Sequence, residues 1–485
     1  MNAISDLLRK SICLLNLPFL VLCLTGCVSD YDWVSLRDQH AIEDVDDILE
    51  EVYVPPYPLT LSDILRIALI QNLDLQVQRD ELAAQAAIAA AENYKMIPPL
   101  TVDGIYSRRS NSTATAILTP AGVQPPQISS TQDTRQWDIR QTINLLDFGL
   151  SYFRAQQERG KAQLLAQTQL RVRQKLIFDI VQAYWKAIVA QKTLGRSLIV
   201  VEEAEEAQAQ LEMQIARKNI STVDALKQEG HLIEMHSRLF AIRFQLESAK
   251  AELSEYMGLP PCTYFELADV EIVENCEQQV ESIESLEEQS LYWRPELVVK
   301  DLEEKIAVED ARIATLQMMP GATTFGDYNA DGNPFLVHNY WLSAGVRATW
   351  NLLAFPQRIA EFHAGKAREE QAYRARLALT VAVLTQVRLA YLNYQTALEQ
   401  YRISSQYALV KDRLYAATAA SKNAGDMNKL DVINFAEQAL TANIAALKAY
   451  ADLEVAKEQL GFVIGKPLRF TPVNLEEDTC YAGEF

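Results

Sequence analysis

The feature that most constrains this 485-residue chain is that it repeats itself. Asn144-Leu145-Leu146-Asp147-Phe148-Gly149 recurs as Asn351-Leu352-Leu353-Ala354-Phe355-Pro356. Ala183-Tyr184 recurs as Ala390-Tyr391, Asp224 as Asp431, and Gly258-Leu259-Pro260 as Gly465-Lys466-Pro467. All four pairs lie 207 residues apart (144 to 351, 183 to 390, 224 to 431, 258 to 465). Met96-Ile97-Pro98 recurs as Met318-Met319-Pro320 at a spacing of 222. The difference of 15 places extra residues in the first copy, between Pro98 and Asn144. An insertion of that size belongs in a loop, and the Ser-, Thr-, Pro- and Gln-rich stretch 111–131 is the place for it.

Each copy has the same order of elements. Glycine and proline number only 17 each, and punctuation that sparse predicts long helices. A moderate helix comes first, over 61–97 in one copy and 294–318 in the other. Two alternating stretches follow, then a very long helix (about 149–218 and 357–423), then a shorter one (222–257 and 427–463). In 100–108, Leu100, Val102, Gly104 and Tyr106 take one face. Trp137, Ile139, Ile143 and Leu145 alternate with Asp138, Arg140, Thr142 and Asn144. In 340–352 the same period of two recurs, and 321–328 is a weaker fourth strand. The long helices measure on the order of 100 Å, which no compact domain needs. Their apolar positions recur at three and four, with alanine dense on the remaining faces. That suits helices with neighbours on both sides, as in a wall. The shorter helices return after turns at Lys218-Asn219 and Ala424-Gly425-Asp426. The helices 61–97 and 294–318 then cover the other half of each long helix, stacked end to end on the short ones.

Two hairpins make four strands, too few to close a membrane barrel, which takes at least about eight. Three chains supply twelve. Trp137, Tyr340, Trp341 and Trp350 suit an interfacial aromatic belt. The competing reading of the hairpins is a pair exposed to water, with one face on the helices.

The N-terminus reads as an address. Arg9 and Lys10 precede the short apolar run Ile12 to Leu24, the pattern of a signal peptide over 1–26. Leu24-Thr25-Gly26-Cys27 resembles the bacterial lipobox. The resemblance implies cleavage before Cys27, a diacylglyceryl group on its thiol and acylation of its amine, so that 27–58 is a lipid-anchored linker. Val28, where an aspartate tends to hold such lipoproteins at the inner membrane, favours the outer one. Cys13 and Cys23 leave with the signal, and Cys262, Cys276 and Cys480 remain. Cys262 and Cys276 are near enough in sequence to pair or to stay as thiols, with Cys480 left over.

The net charge of −19 argues against a nucleic-acid partner, which needs clustered Lys and Arg. It is compatible with a solvated surface or with a cation-preferring passage. Nothing in the sequence reads as an enzyme. His231 and His236 are five apart, off a common helix face, and His40, His338 and His363 are scattered. No glycine-rich phosphate loop or carboxylate dyad stands out. The expectation is no catalytic residue, no metal and no cofactor beyond the lipid on Cys27.

The duplicated plan resembles the TolC-like outer-membrane efflux and secretion family. The resemblance spans Leu59 to Pro467. It rests on Ala68-Leu69-Ile70-Gln71-Asn72-Leu73-Asp74-Leu75, Arg294-Pro295-Glu296-Leu297, Ser221-Thr222-Val223-Asp224-Ala225-Leu226 and Gly425-Asp426-Met427-Asn428-Lys429-Leu430-Asp431-Val432-Ile433. The family's usual Asn-Pro is Asn72-Leu73 here. The implied fold is mainly α with a small β part: a duplicated helix, β-hairpin, long helix and helix. Its homotrimer builds a 12-stranded β-barrel on a 12-helix α-barrel. The first repeat is 59–261, with its hairpin at about 99–146. An equatorial segment follows at 262–292, the second repeat at 293–467 with its hairpin at about 321–352, and a tail at 468–485. The family's two aperture positions fall on Asp431 and Asn434; Asp224, Gly425 and Asp426 mark the helix-turn tips. Asp431 at a helix start is equally an acid placed by the macrodipole. The implied partners are outer-membrane lipid, a periplasmic adaptor of the membrane fusion kind, and an inner-membrane pump or ABC transporter. A periplasmic coiled-coil adaptor is the rival reading, but it would carry one helical hairpin where this chain has two. A structural helical lipoprotein is the other, and it would not need amphipathic hairpins.

Overall fold

The computed structural model describes residues 32–50, 54–116, 118–120, 122–123, 125–216, 222–260, 263–270, 281–423 and 429–466. The chain divides into two units. One holds the residues up to Tyr57 together with Leu259–Phe265. Its helix α1 (Trp33–Glu50) opens on Asp32, whose carboxylate accepts from the Ser35 amide at 3.3 Å. The other unit holds Pro58–Gly258 and everything from Glu266 onward.

The second unit is mostly helical with a small sheet part. In the first copy the order is α2 (Leu61–Gln71), α3 (Leu73–Tyr94), β1 (Leu100–Arg108), β2 (Thr113–Thr115), β3 (Leu118–Thr119), β4 (Gly122–Val123), β5 (Gln127–Ser130), β6 (Asp133–Asn144), α4 (Leu145–Ala216) and α5 (Thr222–Tyr256). In the second it is α6 (Ile283–Trp293), α7 (Pro295–Leu316), β7 (Gly321–Asp331), β8 (Tyr340–Thr349), α8 (Phe355–Asn423) and α9 (Lys429–Ile464). The duplication is close at the level of helix ends. At a spacing of 222, Leu61 falls on Ile283, Gln71 on Trp293, Leu73 on Pro295 and Tyr94 on Leu316. At 207, Ala216 falls on Asn423 and Thr222 on Lys429.

The structure differs from the sequence reading in three places. The helix expected over 61–97 is broken at Asn72, whose backbone is extended (φ −62°, ψ 119°). Asn72 closes α2 through its N–H to Ala68 O and opens α3 by accepting from the Leu75 amide at 3.0 Å. Secondly, α6 lies within 262–292, so the second copy begins with a helix before 293. Arg294 breaks it as Asn72 breaks the first, because a residue preceding proline is barred from the α region. Thirdly, the insertion at 111–131 is not a plain loop. It extends the first hairpin through two small ladders, β2 with β5 and β3 with β4.

The recurring Asn-Leu-Leu is the joint between strand and long helix. Asn144 Oδ1 accepts from the Leu146 amide at 3.1 Å, and Asn351 Oδ1 from the Ala354 amide at 3.3 Å. The recurring glycines are the other joint. Gly258 (φ +70°) ends α5 with its Cα against the Gln71 carbonyl, and Gly465 (φ +81°) ends α9 against that of Trp293. Asn72 Nδ2 also donates to Tyr256 O at 3.1 Å, so α3 and α5 meet end to end. A β-carbon on Gly258 would lie 2.5 Å from that carbonyl oxygen, and on Gly465 2.7 Å. Strain and clash therefore add. Gly258→Ala and Gly465→Ala are each expected to lower stability by about 1–3 kcal/mol in thermal or denaturant unfolding of detergent-solubilised protein. Gly195→Ala, in mid-helix with nothing within 4 Å of the new methyl, is expected to raise it by up to ~1 kcal/mol.

Candidate channel wall

Four strands form one antiparallel sheet in the order β1-β6-β7-β8. Register sorts its two faces. On one face Val102 pairs with Ile139, Ile139 with Tyr328, and Tyr328 with Leu342. On the other, Asp103 pairs with Asp138, Asp138 with Asn329, and Asn329 with Trp341. The next polar row is Thr101, Arg140, Asp327 and Ser343. Among the described residues nothing covers the apolar face; Val102, Leu342 and Val346 are all exposed. Such a sheet fits a boundary between an apolar medium and a wet one. Trp341 lies on the polar face and Trp350 lies beyond the end of β8, so of the four aromatics read as a belt only Trp137 and Tyr340 stand in strands on the apolar face. On the polar face Arg140 Nε donates to Asp327 Oδ1 at 2.9 Å and its other end approaches Asp138 at 3.5 Å. This pairing ties the hairpin of one copy to that of the other.

The helices continue the sheet as a layer of the same width. In the half that adjoins the strands, α3 packs on α4, α4 on α7, and α7 on α8. In the far half, α5 packs on α4, α4 on α9, and α9 on α8. Close approach is set by small residues. A β-carbon on Gly160 would lie 3.1 Å from Ile306, and one on Gly365 3.2 Å from Ala311 Cα. In the far half rings take over: Trp185 of α4 meets Tyr450 of α9 at 5.4 Å, and Tyr450 meets Tyr401 of α8 at 5.4 Å. In the sheet and in both helical halves the layer is four elements wide, and between the halves α2 also lies against α4 and α6 against α8 and α9. One edge is β1, then α3, then α5; the other is β8, then α8.

No family model and no curated relative matches the sequence. Solved structures do. The chain is similar to the CmeC outer membrane channel of Campylobacter jejuni, with a TM-score of 0.72, 13% identity, and coverage of 84% of this chain and 85% of that one. It is similar to the outer-membrane channel OprN (TM-score 0.69, 16% identity, 85% and 91% covered). CusC is a third (TM-score 0.69, 14% identity, 86% and 95% covered), described in connection with transmembrane channel formation. The fold is that of the TolC-like outer-membrane channels.

Within this TolC-like fold, the sequence-derived tip residues fall as follows. Asp224 and Asp431 occupy the first turns of α5 and α9, where a carboxylate is favoured by the helix macrodipole. Their side chains lie outside the described residues. Asn434, one turn further along α9, is exposed. Cys27, Cys262, Cys276, Gly425 and Asp426 lie outside the described residues; the last two fall between α8 and α9. Among the described residues no group of three or more His, Cys, Asp or Glu side chains is placed to hold a metal.

The middle of the TolC-like layer holds a polar knot that sequence reasoning missed. Arg171 of α4 pairs with Glu296 of α7 at 2.5 Å and donates to Phe462 O of α9 at 3.1 Å, with its guanidinium 3.7 Å from the Phe462 ring centroid. Arg294 shares Glu296 at 3.2 Å and donates to Gln386 of α8 at 2.7 Å. Gln174 Nε2 donates to Gly465 O at 3.2 Å. One carboxylate thus serves two guanidinium groups at the junction of four helices. Burial pushes Arg171 down to about 10; Glu296 opposes the shift and Arg294 adds to it. The charge is kept at neutral pH. About five turns further along α4, Gln191 donates to Leu267 O at 3.1 Å, and Leu267 forms a parallel bridge with Leu59. Arg294-Pro295-Glu296 was visible as a motif, but its partner Arg171 carries no local signal.

The knot predicts an asymmetry. Glu296→Gln takes the carboxylate from the buried Arg294 and the half-buried Arg171 and is expected to cost about 1–3 kcal/mol. Arg171→Met leaves Glu296 paired with Arg294 and is expected to cost under about half of that. Denaturant unfolding of the two variants, with Arg294→Met alongside, measures the difference.

Proposed function

We propose that the chain is the outer-membrane duct of a tripartite efflux pump or type I secretion system, passively conducting substrate from a periplasmic adaptor and inner-membrane pump to the exterior. One observation carries the reading: a four-wide layer, apolar on one face of its strands, that leaves one edge of each kind unpaired. An open sheet edge is not tolerated in hydrocarbon, because each unpaired backbone group costs several kcal/mol there. Antiparallel order makes β8 run opposite to β1, so a second copy continues the ladder. Copies joined edge to edge close as a ring when the rotation allows it. Three copies give twelve strands above twelve helices in cross-section. The apolar face meets lipid, and the two rows that hold Asp103 with Asp138 and Arg140 with Asp327 meet the water in the lumen.

In this reading Cys27 carries the acyl anchor in the outer membrane, and the α4–α5 and α8–α9 turns reach into the periplasm, where the adaptor docks. Three Asp431 carboxylates ring the aperture there, with Asn434 forming a second ring that is polar and uncharged. Such a ring attracts cations and repels anions. The duct burns no fuel; the inner-membrane partner supplies the energy, and the tip shifts between closed and open populations. The fold class supports a channel over an enzyme.

Purified protein is expected to run as a trimer and to give cation-preferring single-channel steps in planar bilayers. A monomer without conductance would remove the shared barrel. Asp431→Asn is expected to raise anion conductance relative to cation conductance; unchanged selectivity would take Asp431 out of the aperture.

A further inference from the structure

The exposed apolar face of the sheet changes character from one end of the strands to the other. Near the helices, Ile143, Thr324 and Val346 share a row. Further along come Val102, Ile139, Tyr328 and Leu342, and in the next row Gly104, Trp137, Ala330 and Tyr340. The Trp137 ring lies across Gly104, where a β-carbon would stand 2.8 Å from it. Beyond this aromatic row Tyr106 pairs with Arg135, and Arg108 with Asp133. On this face of β1, β6, β7 and β8, Arg108, Asp133 and Arg135 are the only charged residues, and all stand at the end away from the helices.

Strand rise turns these rows into depths. From Ile143 to Trp137 the chain climbs roughly 20 Å at about 3.4 Å per residue, which accounts for most of an apolar band about 25 Å tall. Arg135 lies about 7 Å beyond Trp137 along β6. An aromatic row marks the level where hydrocarbon gives way to headgroups. The two guanidinium groups therefore stand at headgroup level, on the side that faces lipid and not the lumen.

Local contacts leave these groups able to bind. Asp133 Oδ1 accepts from Tyr106 Oη at 2.9 Å and lies 3.7 Å from Arg108 Nε, too far for a hydrogen bond. The Arg108 side chain is 72% exposed. Arg135 is exposed too, and among the described residues it meets no carboxylate at ion-pair distance. Arg108 and Arg135 are diagonal neighbours across the β1–β6 pair, roughly 7–8 Å apart and within reach of long side chains, so both can grip one phosphate. Two guanidinium groups against one carboxylate leave a net positive charge, and the planar fork of arginine matches phosphate oxygens.

We propose that Arg108 and Arg135, with Tyr106 beside them, form an outward-facing site for the phosphate of an outer-leaflet glycolipid, one per protomer, whose acyl chains lie on Trp137, Ile139 and Val102 below. The inference rests on the outer-membrane duct proposed above and adds a ligand to it. The site also fixes the depth at which the barrel sits. Phosphate holds the basic end of the strands at the membrane surface, and the uncharged end near the helices has no such tie.

The test is native mass spectrometry of the full-length protein in detergent, with diphosphoryl lipid A as the probe and its dephosphorylated form as the comparison. The trimer is expected to retain the phosphorylated lipid, and Arg108→Gln with Arg135→Gln to lower that retention roughly tenfold or more. Arg347→Gln, which removes a charge from the opposite face of the sheet, is expected to leave retention as it is. Equal retention by the double variant, or of the two lipids by the parent, would overturn the phosphate site while leaving the duct standing. A parent protein of monomeric native mass would remove the duct and, with it, the site's place in the membrane.

Discussion

Backbone hydrogen bonding at the two open sheet edges is the constraint on which the rest of this structure depends. The sheet β1-β6-β7-β8 has an exposed apolar face and, within the chain, no partner strand beyond β1 or β8 among the described residues. In the duct proposed above, the apolar face meets lipid, where open edges are not tolerated. Because β1 and β8 run in opposite senses, a second copy would continue the ladder there. The helices inherit the same arithmetic. Because α4 follows β6 directly and α8 follows β8 through a short cap, the width of the sheet sets the width of the helical layer below it. Four strands per chain become four helices per chain in both halves of the layer.

A layer over 100 Å long needs something to hold its two copies in register, and the Arg171–Glu296–Arg294 knot sits where they cross. Its energetic sign is instructive. One buried and one half-buried guanidinium on one carboxylate are a poor source of net stability, since desolvation offsets much of the Coulomb attraction. What the knot offers is geometric specificity. Arg171 also reaches a backbone carbonyl and an aromatic ring of α9, so a slip along α4 breaks several contacts at once. The glycines nearby act on the same principle. Gly258 and Gly465 allow a helix end to touch the carbonyl that ends a neighbouring helix, a contact that any side chain would prevent.

Much of this was legible along the chain, for identifiable reasons. Period-two alternation located β1, β6, β7 and β8 because each strand has one wet and one apolar face. Scarce glycine and proline announced long helices. The spacings of 207 and 222 matched most helix ends to the residue and the others within three residues. The misreadings were equally physical. Asn72 interrupts a continuous helical pattern without a proline to mark it. Ile283–Trp293 hides in a stretch that looked like connecting chain because its counterpart, Leu61–Gln71, had been read as the start of a single longer helix. Trp341 is an aromatic at a strand end, which suggests an interface belt, but strand parity places it on the polar face with Asn329. Arg171 was one arginine among many on a long helix.

Patterning along the chain was enough to settle the duplication, the long helices and the four main strands, because these are set by local periodicity and by spacing. The partners across the layer were decided only by the folded chain. Glu296 lies 125 residues from Arg171 and Asp327 lies 187 from Arg140. Nothing local to any of the four residues encodes the other end of its bond. Tertiary packing also decided which apolar residues are core and which are edge. Gln174 and Val381 hold equivalent places in the repeat, yet one is buried and the other bare, because α4 has the second copy's helices beside it while α8 stands at the edge of the layer.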